Sequence, residues 1–149
     1  MTQSEKDAFR ANADELLRMV QEDRRDTVVG MMHLTLSDFD PETVSLTVSY
    51  PALPWEQNPD GVIHGGIVCT MLDTAMGIVN YAATGQMTPT MSLTTSFLRP
   101  APGEGTLVAR ARVTMTAHSA IYASAELWEK DAPEALVATA QGVFHRRQG

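Results

Sequence analysis

The chain has 149 residues, 44% hydrophobic and 19% charged, which supports one sizeable core and leaves no low-complexity tract to stay disordered. A formal net charge of −7, with no Lys/Arg stripe to interrupt it, argues against a nucleic-acid partner, since phosphate backbones repel acidic surfaces. The lone cysteine, Cys69, excludes an internal disulfide and any Cys-x-x-Cys site for zinc or redox work, so a reducing compartment is expected.

The N-terminus, MTQSEKDAFRANADELL, carries acids throughout and lacks the basic and apolar regions of a secretory signal. A cytoplasmic protein is expected. Residues 1–26 read as an N-terminal amphipathic segment. Within it, Phe9, Ala13, Leu16, Leu17 and Val20 form a helical stripe from about Ser4, the expected N-cap, to Arg24. This is a candidate lid helix. Val28–Leu36 and Thr43–Tyr50 read as a hairpin, with Asp38, Asp40 and Pro41 marking its turn. A Pro/Asn/Gly loop runs from Pro51 to Gly61.

The most apolar stretch follows, GGIVCTMLDTAMGIVNYAA. At about 100° per residue, Ile67, Val68, Met71, Leu72, Ala75, Met76, Ile78 and Val79 cover about half of a helix circumference. Cys69, Thr70, Asp73, Gly77 and Asn80 share the other side. Asp73 and several small polar residues inside the run favour a buried helix over a membrane span, and no membrane association is expected.

Four segments alternate at period two and read as strands: Thr90–Leu98, Thr106–Thr116, Ser119–Glu129 and Ala135–Arg146. One face carries Ala109, Ala111, Ala123, Ala125, Ala138, Ala140 and Gly142, small enough for a sheet to curve around a helix. Short connections between sequential strands imply antiparallel pairing. The expected fold class is α+β, an antiparallel sheet wrapped around one hydrophobic helix, in a single domain with its core in residues 43–147.

Most signatures of a reaction class are absent: there is no GxSxG elbow, P-loop, GxGxxG or HExxH. His33, His64, His118 and His145 are scattered, without Cys or acidic ligands at metal spacing. Neither a metal nor a cofactor is expected. Attention therefore falls on Asn58-Pro-Asp-Gly-Val-Ile-His64-Gly65-Gly66, which runs into the apolar helix. A helix start offers free N–H groups at the positive end of the macrodipole, an anion or oxyanion site. Gly65 and Gly66 are equally what a tight entry turn needs. Asp73 within an apolar helix costs several kcal/mol if unpaired. A structural Asp that caps another element or pairs with an Arg also fits. His64 by itself fits a satisfied turn histidine.

Taken together, Asn58, HGGIVCTMLDTAMG and PTMSLTTSFLRPAPGEGTLVARARV, in that order and spacing, resemble the hotdog-fold acyl-CoA thioesterases, in particular the phenylacetate-pathway branch related to the 4-hydroxybenzoyl-CoA thioesterases. The resemblance covers roughly Thr43 to Arg146. It implies that His64 opens the motif and that Gly65 supplies an oxyanion N–H. Asp73 is implied as nucleophile or general base, Asn58 orients the carbonyl or water, and Thr90 binds the attacking water. It also implies a homodimer or homotetramer in which Gly65 of one subunit faces Asp73 of another. The implied substrate is an acyl-CoA with an aryl-acetyl, benzoyl or medium-chain group. A hotdog dehydratase or hydratase using His64 and Asp73, and a non-catalytic acyl-CoA-binding module, stay open as alternatives. Arg99, Arg110, Arg112, Arg146 and Arg147 are either CoA contacts or solvated charges. Trp55 either lines the acyl pocket or anchors its loop.

Overall fold

The computed structural model describes residues 1–148. Helix α1 spans Gln3–Glu22 and α2 spans Val28–Met31; strands β1 (Thr35–Asp40) and β2 (Ser45–Pro51) follow. A short 3-10 turn at Pro54–Glu56 precedes α3 (Gly65–Thr84), and β3 (Thr90–Phe97), β4 (Thr106–Thr116), β5 (Ala120–Glu129) and β6 (Leu136–His145) complete the chain. The six strands form one sheet in the order β1-β2-β4-β5-β6-β3. Every pairing is antiparallel. This is the hotdog arrangement that the resemblance implies.

The small inner face is what lets the sheet close on α3. Ala109, Ala111, Ala123, Ala125, Ala138 and Ala140 are all buried, as are Met71, Leu72, Ala75, Met76 and Val79 of the helix. Tyr50, on β2, is fully buried and donates its hydroxyl to the Met71 carbonyl at 2.7 Å, which pins the helix to the sheet. Burial, with Asp73 and Glu56 nearby, pushes the Tyr50 phenol far above its ordinary pKa, so it stays a donor. By length and composition α3 is apolar enough to cross a membrane, yet 50% of that stretch is buried inside this fold. The helix stops at Gly85, whose left-handed φ of 70° caps it.

Two sequence expectations need correction. The first concerns Val28–Leu36, of which only Thr35 and Leu36 are strand. Thr27 caps a turn of helix by accepting from the Gly30 N–H at 3.3 Å. Gly30 packs so closely that a Cβ would lie 2.3 Å from the Arg24 carbonyl oxygen. The strand begins at Thr35 and absorbs Asp38 and Asp40, and the hairpin turn falls at Pro41–Val44. As a sheet edge, β1 tolerates these polar residues because it is largely open to solvent.

Second, the N-cap of α1 is Thr2 rather than Ser4, because Glu5 then completes a capping box: its carboxylate accepts from the Thr2 N–H at 2.6 Å while Thr2 Oγ1 accepts from the Glu5 N–H. Asn80, on the polar side of α3, is fully buried, because the chain leaving α3 folds back and Asn80 Nδ2 donates to Thr88 Oγ1 at 3.2 Å.

One irregularity positions a side chain used below. Thr90 and Ser92 pair with the adjacent residues Phe144 and Val143, so Met91 is an extra residue in β3. Thr90 therefore shares the inner face with buried Phe144, while Ser92 turns outward with Val143.

Candidate active site

The entry to α3 is built by His64. Its backbone adopts φ −56° and ψ 135°, and Nδ1 accepts from the Gly66 N–H at 2.9 Å. The His64 N–H in turn donates to the Glu56 carbonyl at 2.8 Å. Gly65, the first helical residue, is left with an N–H that has no acceptor among the described residues. One orphan donor thus stands at the positive end of a 20-residue helix. A Cβ on Gly65 would meet only the Phe97 ring at 3.5 Å, so neither space nor backbone conformation demands glycine here.

Asp73 lies two turns further on, half-buried, and its Oδ1 accepts from Thr90 Oγ1 at 2.7 Å. The bulge at Met91 aims that hydroxyl inward. Eight residues separate Gly65 from Asp73, about 12 Å along the axis at 1.5 Å per residue. The two groups of one chain are too far apart to meet the same carbonyl. Both nevertheless lie along β3, with Thr90 at Asp73 and Phe97 at Gly65.

Asp73 and Thr90 open into a cleft of about 530 Å³ walled by Leu16, Leu17 and Val20 of α1 and by Ile78 and Phe144. The amphipathic stripe of α1, expected to form a lid, supplies Leu16, Leu17 and Val20 of this wall. Trp55 is exposed and lies outside that cleft. Asn58 orders the motif loop, its Oδ1 accepting from the N–H groups of Asp60 at 2.9 Å and Val62 at 3.3 Å. What it can still offer a carbonyl or water is its amide N–H. Among the arginines, Arg99 donates to the Leu136 carbonyl and Arg146 to the Ala117 carbonyl, while Arg110 and Arg112 flank a shallow depression on the outer face of the sheet. No cluster of three or more His, Cys, Asp or Glu able to hold a metal occurs among the described residues.

Glu56 is a residue that sequence reading missed. It is fully buried: one oxygen accepts from the Leu53 N–H at 2.7 Å and the other has no partner. Burial holds its carboxyl above the usual range, against the pull of the Leu53 N–H and His33. A carboxyl with a raised folded pKa stabilises the fold while protonated and loses that contribution as pH climbs past 4.5, its ordinary value, through the folded value. Glu56→Gln is neutral throughout, so its melting temperature should decline less than that of wild type over this window and exceed it near neutrality. Melts recorded across pH decide the matter; a variant less stable than wild type at neutral pH would mean that the ionised carboxylate is well paired.

The sequence model of the thioesterase superfamily matches residues 60–136, a span holding His64, Gly65, Asp73 and Thr90. The chain belongs to the thioesterase superfamily. It is a thioester hydrolase. No curated protein matches this thioesterase at the sequence level. Among solved structures, a phenylacetic acid degradation-related protein from Ralstonia eutropha JMP134 is 29% identical, with a TM-score of 0.73 over 87% of this chain and 98% of that one. PaaI from the phenylacetic acid degradation operon of E. coli is 20% identical with a TM-score of 0.79 over 95% of both chains. Thioesterase superfamily member 2 from Mus musculus is 19% identical with a TM-score of 0.74 over 97% and 98%. These last two share the fold with this thioesterase.

Proposed function

We propose that this thioesterase hydrolyses an acyl-CoA at a site completed by two copies of the chain. The observation that carries the reading is the separation just described: the Thr90–Asp73 pair at 2.7 Å, about two helical turns from an unpartnered Gly65 N–H. The free edge of β3 supplies a way to join them. Met91, Phe97 and Leu98 are 58%, 56% and 52% exposed along it, an apolar edge of the kind that pairs with another strand. Antiparallel pairing of β3 with its copy about a two-fold axis brings the Phe97–Gly65 end of one chain against the Thr90–Asp73 end of the other.

In this reading a water molecule lies between the Thr90 hydroxyl oxygen and the Asp73 carboxylate. Asp73 takes its proton as the water oxygen attacks the thioester carbonyl carbon. The carbonyl electron pair moves to oxygen, where the Gly65 N–H of the other copy, with the Asn58 amide, meets the developing negative charge. Collapse re-forms the carbonyl, breaks the C–S bond and passes the proton from Asp73 to the departing thiolate. The products are a free acid and CoA.

Two measurements test the reading. Wild type should release free thiol from a panel of aryl- and fatty-acyl-CoAs. Mixing two inactive homodimers, Asp73→Asn and Gly65→Pro, should restore activity, because each hybrid has one site with both halves intact; an equal mixture should reach about a quarter of wild-type turnover by random pairing. Subunit exchange seen by mass spectrometry without any return of activity rules out the shared site.

A further inference from the structure

Gly77 lies one turn after Asp73 on α3 and lines the same cleft, which α1 closes from the other side. Nothing within the chain calls for glycine there. Its φ is not in the left-handed region, and a Cβ built on it would meet nothing within 4 Å. A glycine in a helix interior is destabilising relative to alanine. What it secures is empty space beside the carboxylate.

The shape of that space says what fills it. The cleft measures about 530 Å³, its walls are Leu16, Leu17, Val20, Ile78 and Phe144, and only Asp73 and Arg24 on its lining are charged. A benzene ring is held by a cavity of roughly 150 Å³, so a single aryl group leaves most of this cleft unfilled. We propose that Gly77 is a specificity-determining residue: the acyl chain runs from the reacting carbonyl at Asp73 over Gly77 into the cleft between α1 and α3, and the substrate class is an extended fatty-acyl thioester rather than a compact aryl one. The proposal rests on the acyl-CoA reading above. The α1 wall bounds this cleft, so the length of chain accepted is set by the N-terminal helix.

The test uses full-length wild type, Gly77→Ala and Gly77→Leu, assayed by free-thiol release on straight-chain acyl-CoAs from butyryl to palmitoyl and on phenylacetyl-CoA. Wild-type kcat/KM should rise with chain length and exceed that for phenylacetyl-CoA. In Gly77→Leu the ratio of long-chain to butyryl kcat/KM should fall by about tenfold or more, with a smaller fall for alanine, because the added side chain occupies the acyl path. Both variants should melt at or above the wild-type temperature, since each replaces a helical glycine into open space. An equal loss at every chain length, or a loss of the oligomer by size-exclusion chromatography, overturns the proposal, the latter by showing that a second copy rather than the substrate approaches Gly77. A wild type active on acyl-CoAs but fastest on phenylacetyl-CoA defeats this proposal alone. A wild type that releases thiol from no acyl-CoA defeats the underlying reading as well.

Discussion

Asp73→Asn should fold as wild type does and hydrolyse its thioester at least about 100-fold more slowly, the effect of losing a positioned general base. The amide oxygen can still accept from Thr90 Oγ1, which now sits at 2.7 Å from Oδ1, so the contact that orients the residue survives. What is lost is the ability to take a proton. The loss should fall on kcat and kcat/KM together, as for an interaction made only in the transition state. Melting temperature and thiol release, measured on the same preparation, are the readouts. A well-folded Asn variant with near-wild-type turnover would assign the base elsewhere.

Gly65→Pro should lose about 10²–10³-fold in turnover while keeping its fold, because it deletes the proposed oxyanion donor and nothing else. The structure makes this variant cleaner than proline substitutions usually are. Gly65 is the first helical residue, where proline is tolerated and no intrahelical hydrogen bond is broken. The preceding residue must be extended, and His64 already has φ −56° and ψ 135°. Gly65→Ala is the matched control, since it retains the N–H and its Cβ finds ordinary contact with Phe97 at 3.5 Å. Alanine should stay active. A folded, fully active proline variant would place the oxyanion donor on another group.

The parts of the fold that were legible in the sequence are those where packing is regular. Helix α3 and strands β3 to β6 show the change from a helical to a two-residue period, and their observed ends lie within one residue of the expected ones. In the first hairpin the second strand was legible, Thr43–Tyr50 against the observed Ser45–Pro51, but the first strand and the turn were not. Val28 to Leu36 is apolar enough to read as a strand, but the Thr27 cap and the Gly30 contact are local events that outweigh composition, and β1 is an edge whose polar residues hide its strand character. Within the site, Gly65 and Asp73 drew attention by residue type and position alone, whereas Thr90 was reached only through the resemblance. Its link to Asp73 depends on a bulge, and alternation along TMSLTTSF cannot reveal one. Glu56 escaped notice because an acid in a Pro-rich loop looks solvated; its complete burial arises from packing beneath the motif, which no local pattern encodes.

The bulge at Met91 makes the aim of a proposed catalytic hydroxyl a matter of parity. In a regular strand Thr90 and Ser92 would look the same way, out from the sheet; one unpaired residue between them reverses Thr90 toward Asp73 while the rest of β3 keeps its register against β6. A residue gained or lost in the connection between α3 and β3 leaves that odd count untouched, and so does any change of side chain at Met91. Pairing Met91 with Phe144 in plain alternation is what would turn the hydroxyl away from the carboxylate; losing Met91 instead sets Thr90 directly before Ser92, still opposite Phe144 and still facing in. The loss of one residue is therefore tolerated on both sides of Thr90 for different reasons: before it, a loop absorbs the change; after it, a bulge gives way to plain alternation with the same facing.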